Sequence, residues 1–173
     1  MDRILLLLGL LRTQEMHGYQ LNEYIDRQMA FCVDLKRSTA YYLLDKLCRE
    51  GYVSQETERE GNRPERRVFQ ITPAGEARFQ VLLRTNLASF QPPTYAEDIG
   101  VMFQQHLPSD EVRALLQQRR AGVLARREEI EGLGAGLPVS HGSLIEHHLL
   151  HLDAELAWVD ALIARHQQEI VED

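Results

Sequence analysis

Between Ser38 and Glu50 the apolar residues Ala40, Leu43, Leu44 and Leu47 recur at helical spacing, with Cys48 at the edge of their stripe. The other face collects Ser38, Thr39, Tyr42, Asp45, Lys46 and Arg49, most of which can reach a phosphate or a base edge. Gly51 stands where a helix closes on a left-handed residue. Beyond it, the β-like runs Tyr52 to Thr57 and Arg66 to Ile71 flank a polar tip, Arg59 to Glu65. Thr72-Pro73 then carries the N-cap and first-turn proline of a new helix. Helix, strand, tip, strand, helix is the order of a winged helix-turn-helix, which lays its second helix in the major groove of DNA.

Other segments extend this scheme. Ile4 to Leu11 is apolar nearly all round and predicts a buried helix. Gly18 precedes a helix over Tyr19 to Met29 with Leu21, Tyr24, Ile25 and Met29 inward, and Phe31 to Lys36 connects it to the reading helix. Pro73 to Phe90 continues helical. Gln91-Pro92-Pro93-Thr94 excludes helix and marks the best boundary. Past it, Tyr95 to His106 predicts a helix with Ile99, Met102 and Phe103 inward. A long helix from Pro108 to Leu133 starts with acids that suit its dipole. Gly132, Gly134, Gly136 and Pro138 break it before a last helix, Ser143 to Gln168. The expected fold is mainly α: a winged helix-turn-helix with a two-stranded β wing over residues 1–90, then an all-helical dimerisation domain over 91–173.

That last helix spaces Ile145, Leu149, Leu152, Leu156, Val159 and Ile163 by alternating fours and threes, an a/d seam. It fits packing on a neighbouring helix of the same chain, or a seam shared with a second copy. Six such side chains are worth at most about 9–18 kcal/mol of burial, against about 4–15 kcal/mol for association. A dimer therefore needs further surface, for which Ile4 to Leu11 is a candidate. Helix 109–133 offers Val112, Leu116, Val123 and Ile130, interrupted by Arg119 and Arg126.

The 173 residues, 44% hydrophobic and 26% charged, suit a globular chain of one large or two small domains. The longest apolar run is too short to span a bilayer and lacks the flanks of a secretory signal, so the expected location is cytoplasmic, with no membrane partner. Cys32 and Cys48 are too few for a disulfide or zinc framework and read as reduced packing residues. The net charge of −7 at first opposes DNA binding. Residues 1–84, however, carry 13 Lys+Arg against 12 Asp+Glu, and residues 85–173 carry 6 against 14, giving +1 and −8. Screening acts over about 8–10 Å, so local charge governs phosphate binding. The bases cluster where DNA should lie. Lys36, Arg37, Ser38 and Thr39 surround the reading helix's N-terminus; Tyr42, Lys46 and Arg49 face the major groove; Arg66 and Arg67 offer backbone attraction, and Arg63 at the wing tip could enter a minor groove.

Trp158, the single tryptophan, neighbours the seam and is a candidate for stacking an aromatic effector, although plain packing is the commoner role. His147 and His151 have a spacing compatible with a metal, yet a polar helix face is the simpler reading and no metal or cofactor is expected. No phosphate loop, nucleophile elbow or zinc-protease helix occurs, so no catalytic residues are expected.

The run Leu8-Gly9-Leu10-Leu11 followed by Met16-His17-Gly18-Tyr19-Gln20-Leu21 resembles the opening of PadR-type transcriptional regulators. So does Ser38-Thr39-Ala40-Tyr41 with Leu44, Leu47 and Gly51 at their offsets. The exit Arg66-Arg67-Val68-Phe69-Gln70-Ile71-Thr72-Pro73-Ala74-Gly75 resembles the family's basic-aromatic strand running into Thr-x-x-Gly. Leu107-Pro108-Ser109-Asp110-Glu111 and Ala154-Glu155-Leu156-Ala157-Trp158 resemble members with the longer, virulence-activator-like C-terminal domain. The resemblance implies a homodimer whose winged helices grip double-stranded DNA at a pseudo-palindromic operator, released by a small aromatic or amphipathic effector. Val68 departs from a tyrosine common in the family's wing strand, and Ala40 from a larger aliphatic residue. The expected function is a ligand-responsive repressor. The alternative is a protein-interaction module that keeps the scaffold without reading DNA.

Overall fold

The computed structural model describes residues 2–13, 16–25, 33, 35–58, 66–134 and 141–172. The chain forms two compact units, Met1–Gln91 and Pro92–Asp173. Helices α1 (Asp2–Thr13), α2 (Gly18–Tyr24), α3 (Arg37–Arg49) and α4 (Pro73–Ala88) build the first unit with strands β1 (Met16–His17), β2 (Val53–Glu58) and β3 (Arg66–Ile71). The sheet runs β1-β3-β2 with both pairings antiparallel, Val53 opposite Ile71 and Met16 opposite Phe69. The wing strands match expectation. The two-residue β1 has no counterpart among the expected elements, because a bridge that short carries no alternation to detect.

The unit's core gathers Leu7, Leu8 and Leu11 of α1, Leu21 of α2, Ala40, Leu44 and Leu47 of α3, Phe69 of β3 and Leu82 of α4. Ile4 to Leu11 is thus largely committed to its own unit: Leu7, Leu8, Leu10 and Leu11 are buried there, and Ile4, Leu5 and Leu6 pack against it. Ile25 closes the core beyond α2, and the expected continuation to Met29 lies outside the described residues.

Two local devices set the angle between α3 and the wing. Gly51 is left-handed at φ +75°, its N–H bonds Cys48 O at 3.1 Å, and Tyr52 N–H bonds Leu47 O at 2.9 Å. This paired closure is the Schellman motif, available to glycine without a Cβ penalty. Thr72 then caps α4: its Oγ1 accepts from Gly75 N at 3.0 Å and donates to Gly51 O at 2.7 Å. One hydroxyl therefore ties the end of the reading helix to the start of α4. Thr72→Ala is expected to lower stability by about 1–2 kcal/mol, measurable as a lower urea midpoint at unchanged slope; an unaltered midpoint would refute the linkage.

The second unit holds α5 (Asp98–Met102), a 3-10 turn (Gln104–His106), α6 (Ser109–Gly134) and α7 (Gly142–Glu172). Helices α6 and α7 run antiparallel, because Arg120 meets Asp160 at 2.6 Å while Arg127, seven residues on, meets Asp153 at 2.7 Å. Val112 and Leu116 of α6 pack with Val159, Leu162 and Ile163 of α7. The stretch 95–106 departs from expectation. Its helix has five residues, and Val101 packs inward while Ile99, Met102 and Phe103 are 62%, 68% and 53% exposed. The periodicity was real, but among the described residues that face stays mostly exposed, with Phe103 stacked on His106 at 6.4 Å between ring centres.

Candidate nucleic-acid interface

The buried stripe of α3 orients its polar face by necessity. With Ala40, Leu44 and Leu47 sealed in the core, Tyr42 and Arg49 turn outward, Tyr42 being 61% exposed, and Lys46 shares their face. Lys36, Arg37 and Ser38 are exposed and Thr39 half-buried at the N-terminal end. Lys36 occupies the N-cap in extended conformation, and its side chain makes no capping hydrogen bond to the first-turn N–H groups. Those amides and the positive helix end face outward, an arrangement suited to a phosphate. The Arg37 guanidinium lies 5.8 Å from the ring centre of Tyr41, which holds the cation beside this end. Tyr41 itself packs against the core.

The wing joins the same surface through Arg67. Its Nη1 lies 3.3 Å from Asp45 Oδ1, linking β3 to the outer face of α3, and both side chains are about half exposed. Lys46 Nζ lies 3.8 Å from Glu50 Oε1, and Arg49 Nε donates weakly to Asp45 O at 3.4 Å. Sequence reasoning identified the cations and missed that Asp45 anchors one of them. An acid in the middle of a basic face was the available signal. Arg66 pairs through its backbone register with Glu58, while its side chain and Arg63 lie outside the described residues.

Cys48 is half-buried at the stripe's edge. Burial, then the charge of Asp45, pushes its thiol upward, with Arg67 opposing. A thiol held protonated is a poor nucleophile. At pH 7.5, Cys48 should alkylate more slowly than a free cysteine; alkylation at the free-thiol rate would contradict this. Cys32 lies outside the described residues. The departures Val68 and Ala40 are both buried, so neither alters the outer face.

In the second unit the seam divides. Ile145, Val159 and Ile163 are buried within the chain, the latter two against Val112 and Leu116, while Leu149, Leu152 and Leu156 are half-buried. The two arginines that interrupt the α6 pattern have work elsewhere. Arg119 Nε donates to Glu155 Oε1 at 2.8 Å, and its guanidinium lies 4.9 Å from the Trp158 ring centre. Arg126 bonds Glu129 at 2.7 Å. Together with Tyr95, Leu152, Val123 and Trp158 these arginines line a groove of about 730 Å³.

Residues 7–81 match the model of the transcriptional regulator PadR-like family. The chain is 27% identical over 173 residues to the negative transcriptional regulator PadR of Bacillus subtilis (strain 168), covering 91% of this chain and 93% of that protein. Among solved structures it is similar to Bacillus subtilis PadR in complex with operator DNA, with a TM-score of 0.81, 21% identity and coverage of 94% and 98%. The same protein in complex with p-coumaric acid gives a TM-score of 0.77 at 20% identity, covering 92% and 95%. The Vibrio cholerae virulence activator AphA gives 0.74 at 16% identity, covering 96% and 99%. At these identities the structural likeness establishes the fold.

Proposed function

We propose that this chain, whose residues 7–81 match the PadR-like regulator family and which is 27% identical to a negative transcriptional regulator over 91% of its length, acts as a homodimeric repressor that a small effector releases from a pseudo-palindromic operator. The observation that carries the DNA reading is the single outer surface shared by the α3 N-terminus, Tyr42, Lys46, Arg49 and, through Asp45, the wing's Arg67. Lys36, Arg37, Ser38 and Thr39 position the duplex backbone, Tyr42, Lys46 and Arg49 enter the major groove, Arg66 and Arg67 follow the backbone from the wing, and Arg63 at its tip enters a minor groove. The related Bacillus protein is described as a negative regulator and was crystallised with operator DNA, which supports this assignment. Footprinting on the promoter beside its own gene tests it: a protected inverted repeat is expected, and weak protection without sequence preference would favour an interaction module instead.

Dimerisation is assigned to the second unit. The half-buried Leu149, Leu152 and Leu156, with the uncovered Ile99, Met102 and Phe103, supply apolar surface that one copy leaves exposed to water. Leu152→Asp should give monomers by light scattering, and an unchanged dimer mass would refute this interface.

The effector is assigned to the groove beside Trp158. Its volume of about 730 Å³ suits a drug-sized molecule, and Arg119 and Arg126 stand where an aromatic or amphipathic ligand could place an acid group. The p-coumaric acid complex of the related protein supports a phenolic acid as first probe. Because Trp158 is the sole tryptophan, its emission reports directly on occupancy. Release of operator DNA with no change in that emission would place the effector elsewhere.

A further inference from the structure

His147 and His151 lie one turn apart on α7 with exposed side chains, and their Nε2 atoms are 3.0 Å from each other. The rings cross edge to face with centroids 4.6 Å apart, and the two nitrogens share a hydrogen bond, one ring donating and the other accepting, which a cation held between them would replace. We propose that His147 and His151 form a bidentate site for a divalent cation of tetragonal preference, copper(II) or nickel(II). The site is separate from the operator surface, and His151 also lines the groove assigned above to the effector.

Three observations carry it. Imidazole nitrogens bind such ions at about 2.0–2.1 Å, so a pair 3.0 Å apart subtends about 91–97° at an ion held by both. That is close to the right angle of square-planar and octahedral shells and well short of the tetrahedral angle zinc prefers. The helix fixes this separation in advance, so little ordering is needed on binding. Finally, Arg126, a guanidinium whose charge reaches this face of α7, is bonded to Glu129 at 2.7 Å, which tempers its repulsion of a bound cation. Among the described residues no three potential ligands converge. Water completes the shell, and the site binds reversibly rather than as a permanent structural centre.

On sequence spacing alone an ordinary polar helix face is the simpler reading. Most of the rotamers open to two exposed histidines would point the rings apart, so the convergence is the added information.

Tag-free full-length protein titrated with copper(II), read by electron paramagnetic resonance and by calorimetry, tests the site. One copper per chain with hyperfine coupling to imidazole nitrogen is expected. His147→Ala and His151→Ala should each weaken binding at least tenfold, with unchanged helical circular dichroism, and His148→Ala should bind as the parent does. Parent-like affinity in the double variant His147→Ala/His151→Ala overturns the proposal, as does an equal loss in His148→Ala. Neither result bears on operator binding, which footprinting measures separately.

Discussion

Gly75→Ala collapses the N-terminal unit. Gly75 is buried in the first turn of α4, where its N–H donates to Thr72 Oγ1 at 3.0 Å. A Cβ there would run into the carbonyl oxygen of Tyr52 and lie 2.8 Å from Ile71 Cγ1. Neither neighbour can give way cheaply. The Tyr52 carbonyl accepts from Thr72 N–H at 3.1 Å, and the Tyr52 N–H closes α3, so moving that peptide undoes the end of the reading helix and the wing's start together. Overpacking against fixed backbone costs about 3 kcal/mol or more. At about 4–8 °C per kcal/mol for a domain of this size, Tm should fall by about 12–24 °C. Gly122→Ala is the contrast, since that exposed position in α6 has nothing within 4 Å of an added Cβ; helix propensity alone should raise stability by about 0.5–1 kcal/mol. A Gly75→Ala unit melting within a few degrees of the parent would show that α4 does not seat where described.

Lys46→Ala combined with Arg67→Ala should weaken operator binding by roughly 10–100-fold near 0.1 M salt and flatten the dependence of log K on log salt by about 0.9, because Arg67 meets a phosphate whereas Lys46 reads a base. If Lys46 meets a phosphate instead, the slope falls by about 1.8. The ion pairs of the free protein add a second, opposite prediction. Asp45 lies 3.3 Å from Arg67 and faces where phosphates would approach. Asp45→Asn removes that competitor and should tighten operator binding while steepening the salt slope, although Arg67 loses its anchor. Fluorescence anisotropy across a salt series reads all three numbers. An unchanged affinity in the double variant would remove both cations from the interface. Weaker binding by Asp45→Asn would mean that holding Arg67 in place outweighs repulsion.

The comparison of α3 with α5 explains how much could be read without coordinates. Both segments show apolar residues at helical spacing. For α3 the pattern sufficed, because cap, stripe, Gly51 and the two wing strands are local signals that all agree. The bases of the reading face followed from the same wheel. For 95–106 the pattern named the right apolar residues and the wrong surroundings, since periodicity records that a face is buried somewhere, not against which surface. The seam of α7 divides for the same reason: its two ends pack on α6 and its middle does not.

What the residue order alone settled, then, is what is encoded within a few turns of chain: the winged helix-turn-helix, the Gly51 closure of its reading helix and the Thr72 cap of the next. What needed the folded chain is every relation between residues distant in sequence or free in rotamer. The Asp45–Arg67 tie, the Arg119–Trp158 stack, the 3.0 Å convergence of His147 and His151 and the exposure of Ile99 and Met102 are of this kind. The physical reason is that backbone propensities and caps act locally, whereas side-chain partnership depends on packing that only the assembled core defines.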